Sequence, residues 1–123
     1  MESLDTFESL VAEALDQLPA EFRERLDNVE VVVEPWPDAD ALHRAGVTHP
    51  TQLLGLYHGI PQTRRTHRYT FMLPDKISIY REPILLRCHT WDEVRQTVQH
   101  VVLHEIAHHF GISDARLREI GAY

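Results

Sequence analysis

Apolar side chains recur every three or four residues near the start of the chain, at Leu4, Phe7, Val11, Ala14 or Leu15, and Leu18. This spacing is typical of one face of an amphipathic helix. It predicts a helix over residues 3–18, which Pro19 ends because proline lacks the N–H donor that a helix interior needs. The apolar face is expected to pack on the protein's own core, with a coenzyme or a partner helix as the alternative.

Three short runs further along the chain have the pattern of strands. Val29–Val33 is rich in β-branched residues, Leu53–His58 lies between turn residues, and polar and apolar positions alternate over Lys76–Tyr80. Between the first two, a short helix is predicted over Asp38–Ala45, with Asp38 as its cap. Strands framed by helices at both ends of the chain favour an α+β fold with a small sheet.

The last third of the chain predicts one long helix. Thr90 and Glu93 have the spacing of a capping box. Apolar residues continue the helical period from there, at Val94, Val98, Val101, Val102, Ile106 and Phe110. Gly111 stands where a helix-ending glycine is expected. We therefore predict a helix from about 91 to 110 and a shorter C-terminal helix over 114–120.

Length and composition set the class of protein. The 123 residues suit one domain, so residues 1–123 are treated as a single unit. Hydrophobic residues make up 43% and charged residues 25%, a balance typical of soluble globular proteins. No apolar run approaches the ~20 residues that span a bilayer, and the acidic N-terminus does not resemble a secretory signal. A cytoplasmic protein without membrane association is expected.

Charge and cysteine content narrow the kinds of site that the chain can form. A formal net charge of -7 disfavours nucleic-acid binding, which normally concentrates Lys and Arg on one face. The basic cluster Arg64, Arg65, His67 and Arg68 is the exception, and a solvated loop or strand face is its expected role. Cys88 is the only cysteine, which excludes an internal disulfide and a Cys-rich metal site. Any metal must be bound by histidines and carboxylates.

The sequence His104-Glu105-Ile106-Ala107-His108 lies within the predicted long helix. His104 and His108, four residues apart, stand on one face of that helix and can bind a single zinc ion. Glu105 lies about 100° around the helix from His104. There it would flank the metal and act as the general base for a zinc-bound water.

A third ligand is needed, because catalytic zinc usually has three protein ligands and one open position. His109 points away from the face that carries the other two histidines. Gly111 can adopt a positive φ and reverse the chain, which brings a side chain three residues later back beneath the metal. Asp114 is therefore the predicted third ligand. Its alternative role is to cap the last helix, for which Ser113 also competes.

The string HEIAHHFGISD, together with LLGLYHGIP upstream, resembles the signature HExxHxFGxxD of a family of small bacterial zincin-like metallopeptidases. The resemblance extends from about Pro19 to the last residue. It implies a compact minimal zincin-like fold, one zinc ion at the three ligands above, and peptidase activity. Both methionines, Met1 and Met72, precede the motif, so the methionine turn of the related metzincins is absent.

We therefore expect a zinc-dependent metallopeptidase that hydrolyses a peptide or protein substrate, with Glu105 activating the water. Two alternatives stay open. One is a non-catalytic zinc module that docks a protein partner. The other is a metal-dependent ribonuclease, resembling the rRNA-maturation family with its His-x-x-x-His-x-x-Gly helix. A substrate peptide is expected to lie extended along Leu53–His58 or Ile77–Tyr80.

Three further side chains have two expected roles each. His100, one helical turn before His104, could support the metal site or could simply be a polar residue facing the cleft. Tyr57 and Tyr80 could each donate a hydrogen bond to a developing oxyanion. Both fit equally well as aromatic residues of strands. The sequence leaves these alternatives open.

Overall fold

The computed structural model describes residues 4–59 and 75–119, and within them all side chains except those of Leu4, Asp5 and Asp114. The basic cluster at residues 64–68 lies outside the described residues. The elements in chain order are α1 (Leu4–Asp16), α2 (Ala20–Arg25), β1 (Val29–Glu34), α3 (Ala39–Ala45), a 3₁₀ turn (Pro50–Gln52), β2 (Gly55–His58), β3 (Asp75–Tyr80), α4 (Arg81–Arg87), α5 (Trp91–Phe110) and α6 (Asp114–Glu119). The predicted α+β class is confirmed, with a small sheet, an N-terminal helix, one long helix and a short C-terminal helix.

α1 packs along α5 with the apolar face that the sequence predicted. Phe7, Val11 and Ala14 of that face are buried in the core, and so is Leu18 just beyond the end of the helix. The helix ends at Asp16, slightly before its predicted end. Pro19 then occupies the N-cap position of α2, a helix that the pattern did not predict, with a φ of -54°. The face of α1 therefore belongs to the protein's own core.

The sheet places β3 between the other two strands, in the order β1-β3-β2. β1 pairs with β3 in parallel, and β2 pairs with β3 in antiparallel orientation. Because both edges of β3 are hydrogen-bonded, the prediction that a peptide could bind along Ile77–Tyr80 is wrong. β2 begins at Gly55, two residues later than predicted, and is an outer strand in the part of the chain that the structure describes.

Alternate residues of β3 pack into two different layers. Ile77 and Ile79 lie in the main core, together with the buried faces of α1 and α5. Tyr80 lies on the other side of the sheet, in a smaller cluster with Ala41 of α3. The Asp38 carboxylate caps α3 by accepting from the N–H of Ala41 at 2.8 Å, as the sequence predicted. Helices therefore cover both faces of the sheet.

A chain of polar side chains ties the sheet to α3. Ser78 is fully buried and donates its hydroxyl hydrogen to Glu34. The Ser78 oxygen lies 3.1 Å from Nε2 of His58, and Nδ1 of His58 lies 2.9 Å from the Arg44 guanidinium. Burial lowers the pKa of His58, and the positive charges of Lys76 and Arg44 lower it further. A neutral His58 can accept from Arg44 while donating to Ser78, so the buried hydroxyl is satisfied.

α5 begins and ends at the predicted residues. Thr90 accepts from the N–H of Glu93 at 3.1 Å, which confirms the cap. The Glu93 carboxylate accepts from the N–H of His89 at 3.0 Å instead of that of Thr90, so the predicted capping box is displaced by one residue. Gly111 ends the helix in the left-handed conformation, with a φ of 70°. Among the helices of the described residues, none is long and apolar enough to cross a membrane.

Candidate metal centre

The two motif histidines lie on one uninterrupted helix. α5 is continuous from Trp91 to Phe110, so His104 and His108 stand one turn apart on the same face. His104 is half-buried and its Nε2 atom has no contact with solvent, whereas His108 is exposed. One imidazole is thus enclosed by the protein while the other stands at the surface.

Glu105 is held between this helix and the sheet. Its Oε1 accepts a hydrogen bond of 2.8 Å from the main-chain N–H of Tyr57 in β2. Burial raises the pKa of the Glu105 carboxyl above its ordinary value, while the Tyr57 hydrogen bond and the nearby His108 lower it. The net effect is an increase, so Glu105 binds a proton more readily than a solvated glutamate does. That property suits a group that must accept a proton and give it back.

The chain turns after α5 at Gly111, which has the positive φ that the sequence predicted. The left-handed Gly111 lets the N–H of Ile112 bond to the carbonyl of Ala107 at 2.8 Å. α6 then begins at Asp114, and Ser113 caps it by accepting from the N–H of Arg116 at 3.1 Å. Ser113 therefore fills the capping role for which Asp114 was the other candidate. The Asp114 side chain lies outside the described residues, so its role as a ligand stays a prediction.

His100 contacts the first motif histidine. The rings of His100 and His104 have their centroids 4.3 Å apart and are tilted by 39°. This contact restricts the orientation of the His104 ring from the N-terminal side of the helix. Of the two roles expected for His100, the geometry favours support of the site.

Neither tyrosine considered as an oxyanion donor has its hydroxyl directed to the site. The hydroxyl of Tyr57 donates to Asp75 Oδ2 at 2.8 Å, and the Tyr57 ring stacks on His109 with centroids 3.9 Å apart. Tyr80 is almost fully buried on the far side of the sheet, and burial raises the pKa of its hydroxyl. Both act as packing residues of strands in this structure.

The contact between Tyr57 and Glu105 is the part of the site that the sequence did not predict. It is made by a main-chain N–H, which any residue except proline carries, so the side chain gives no signal. A weaker signal was present in the segment LLGLYHGIP, where Gly55 and Gly59 flank Tyr57 at equal distances. Glycines inside a strand pattern often mark a close approach of another backbone or element.

The chemistry of the predicted donor set fits zinc. Two imidazoles and one carboxylate are a ligand set that leaves a fourth position open on catalytic zinc. Within the described side chains, no group of three or more His, Cys, Asp or Glu residues is arranged to hold a metal. The side chain of Asp114, the predicted third ligand, is not among them. The ligand assignment therefore rests on the two histidines and on the reversal at Gly111.

Comparison with known families agrees with this arrangement. A model of the zincin-like metallopeptidase family matches residues 26–122, which include all of α5 and α6. The chain belongs to this family. The match confirms the resemblance drawn from the motif, and membership of a zincin family implies zinc as the metal and suggests a hydrolase. A search among curated proteins finds no match for this zincin-like chain.

Proposed function

We propose that this chain is a zinc-dependent peptidase in which His104, His108 and Asp114 bind one zinc ion and Glu105 is the general base. The setting of Glu105 carries the proposal. Its carboxylate is partly buried, has a raised pKa, and is fixed to β2 by the N–H of Tyr57. A carboxylate of this kind beside two imidazoles one turn apart suits metal-assisted hydrolysis of a peptide bond.

The chain's own residues move the proton in this reaction. Zinc, when bound, would polarise the scissile carbonyl and make a neighbouring water more acidic. Glu105 removes a proton from the attacking water through Oε2, because Oε1 is engaged by the N–H of Tyr57. It then returns the proton to the leaving amine. The raised pKa of Glu105 brings it closer to neutral pH, where one group can perform both transfers.

β2 provides the main-chain surface on which an extended substrate can bind. It is the outer strand of the described sheet, and its Tyr57 N–H is directed to Glu105. A peptide that adds to this edge as a further strand gains main-chain hydrogen bonds from the edge groups of β2 other than the Tyr57 N–H, which Glu105 occupies, with little dependence on its side chains. It also passes beside the general base. A complex with a peptide mimic bound away from β2 would contradict this placement.

The decisive experiment replaces Glu105 by glutamine. Glu105→Gln keeps the size and helix propensity of the side chain, and its carbonyl oxygen can still accept from Tyr57, so the fold and the zinc should persist. The proton acceptor is lost, and kcat on a peptide substrate should fall by roughly 100- to 10,000-fold. Metal content by mass spectrometry and turnover of a broad peptide library are measured on the same preparations. Glu24→Gln, at an exposed position in α2, is the matched control.

Each other outcome points to a different function. Loss of zinc from Glu105→Gln would make the carboxylate a ligand and would contradict the mechanism. If the wild type and Glu105→Gln show the same trace activity on every peptide, the peptidase assignment fails. The non-catalytic zinc module that docks a protein partner then becomes the better account. Tight binding of structured RNA with a steep salt dependence would favour the ribonuclease.

A further inference from the structure

β2 and α5 run side by side in matched steps. The contacts follow one register along both elements: Gly55 with Val101, Tyr57 with Glu105, and Gly59 with His109. Two residues of a strand advance by about 6.6 Å, and four residues of a helix advance by about 6.0 Å. Because the two steps nearly agree, the same register persists over three successive contacts.

A glycine is required at position 55 because there is no room for a side chain. The described glycines with a positive φ are Gly46 and Gly111, so Gly55 does not owe its identity to its backbone conformation. A β-carbon at Gly55 would lie 2.4 Å from Cγ1 of Val101 and 3.1 Å from the main-chain oxygen of Ser78. Val101 is buried, and a β-branched side chain in a helix has essentially one χ1 rotamer, so it cannot turn away. Any other residue here must separate the strand from the helix.

Gly59 makes a second, softer contact with the same helix. A β-carbon there would lie 2.4 Å from Cε1 of His109 and 3.3 Å from Cε1 of Tyr57. The His109 ring is partly exposed and can move, but it stacks on Tyr57 and its Nε2 lies 3.7 Å from Asp75. A side chain at position 59 would therefore disturb the packing that fixes Tyr57.

The close approach at both glycines brings the intervening residue to the general base. The contacts that hold Tyr57 include its N–H on Glu105, its ring on His109, and its hydroxyl on Asp75. A hydrogen bond of 2.8 Å between N–H and a carboxylate tolerates little lengthening before it weakens. The distance between β2 and α5 therefore decides whether the Glu105 carboxylate is fixed.

We propose that Gly55 and Gly59 are positioning residues: they let β2 lie close enough to α5 for the Tyr57 N–H to hold one oxygen of Glu105. The other oxygen is then presented in a single orientation. This inference rests on the proposed role of Glu105 as the base. Fixing a reacting group in advance removes the need to order it during the reaction, and a misplacement of about 1 Å can cost on the order of 100-fold in rate.

The test uses the Tyr57 amide of the ¹⁵N-labelled full chain as a reporter. In a chain that is otherwise unchanged, Glu105→Gln replaces the charged acceptor of the Tyr57 N–H by a neutral one and should shift the Tyr57 amide resonance. In the Gly55→Ala background the same substitution should leave that resonance unmoved, because the contact has been lost. Gly55→Ala/Val101→Ala removes the colliding methyl group and should restore the shift. Val101→Ala alone is the control, and in that background Glu105→Gln should still shift the Tyr57 amide resonance.

A change that only weakens the fold would not alter this coupling selectively. A full Glu105-dependent shift in Gly55→Ala would overturn the proposal, and so would failure of the double variant to restore it. If Gly55→Ala does not fold, Gly59→Ala and Gly59→Ala/His109→Ala provide the same comparison. Position 59 follows the last residue of β2, so the substitution does not alter a residue that pairs with β3. Retention of the full shift in Gly59→Ala would then count against the proposal.

Turnover of a peptide substrate provides an independent test. Gly55→Ala should lower kcat by on the order of 100-fold with little change in KM, and Val101→Ala in the same chain should recover most of the loss. The amide measurement needs no substrate. If the chain hydrolyses no peptide, the proposed function fails while the coupling between Gly55 and Glu105 is still decided by the spectra.

Discussion

Ser113 and Asp114 are neighbours for which we propose different roles. Ser113 caps α6 through its hydroxyl, so Ser113→Ala should lower the free energy of unfolding by about 1 kcal/mol and leave zinc affinity nearly unchanged. Asp114→Ala should lower zinc affinity by more than about 100-fold, beyond the loss seen when a group that only supports a ligand is removed. Competition with a chromophoric chelator measures the affinity, and urea unfolding measures the stability.

The pair of variants also shows when the assignment is wrong. If both substitutions only lower stability by similar small amounts, Asp114 is not a ligand and another residue completes the zinc site. That result would leave the role of Ser113 unchanged, because its cap is made by an observed hydrogen bond.

At the scale of the elements, the proposed metal site depends most on the reversal after α5. Gly111 and Gly46 end α5 and α3 in the same left-handed conformation, with φ values of 70° and 72°, and a β-carbon would contact nothing within 4 Å at either. Alanine should therefore cost a similar 1–2 kcal/mol or so at each position, through backbone strain alone. Only Gly111→Ala should also weaken zinc binding, because it changes the path to Asp114.

Isothermal titration with zinc, alongside thermal unfolding of both variants, checks this prediction. Gly46→Ala is the matched control, since it carries the same strain on the far side of the sheet. Equal zinc affinities in the two variants would mean that the reversal at Gly111 does not place a ligand.

At the scale of the whole molecule, zinc binding should stabilise the fold. The proposed ligands join α5 to α6, and an ion that binds only the folded chain at 100 times its Kd adds about 2.7 kcal/mol to the free energy of unfolding. The wild type should hold close to one zinc per chain, and its Tm should fall when a chelator is added. His104→Ala and His108→Ala should lose tight zinc binding and show no chelator effect, because two remaining ligands seldom hold catalytic zinc.

His109→Ala is the control for that experiment, since His109 stacks on Tyr57 and is not a proposed ligand. It should keep its zinc and its chelator-dependent Tm. Stoichiometric zinc in either His104→Ala or His108→Ala would contradict the ligand assignment. Metal analysis and differential scanning calorimetry of the four proteins provide the comparison.

Features set by neighbouring residues were determined by the sequence alone. The bounds of α5 follow from a cap at Thr90, a helical apolar period and a glycine at 111, all of which act within one or two turns. The same local geometry places His104, Glu105 and His108 on one helix in a fixed relation. α2 and α4 were missed because helices of six and seven residues show too little of a period, and α4 contains Pro83.

Only the tertiary structure decided which elements meet. The central position of β3, which removed Ile77–Tyr80 as a peptide-binding edge, depends on pairing between strands far apart in the chain. Tyr57 and Glu105 are 48 residues apart, and their contact requires both the strand pairing and the space left by Gly55. The motif thus named the proposed general base, while packing between β2 and α5 fixed where its carboxylate is held, because a local pattern carries no information about distances across the fold.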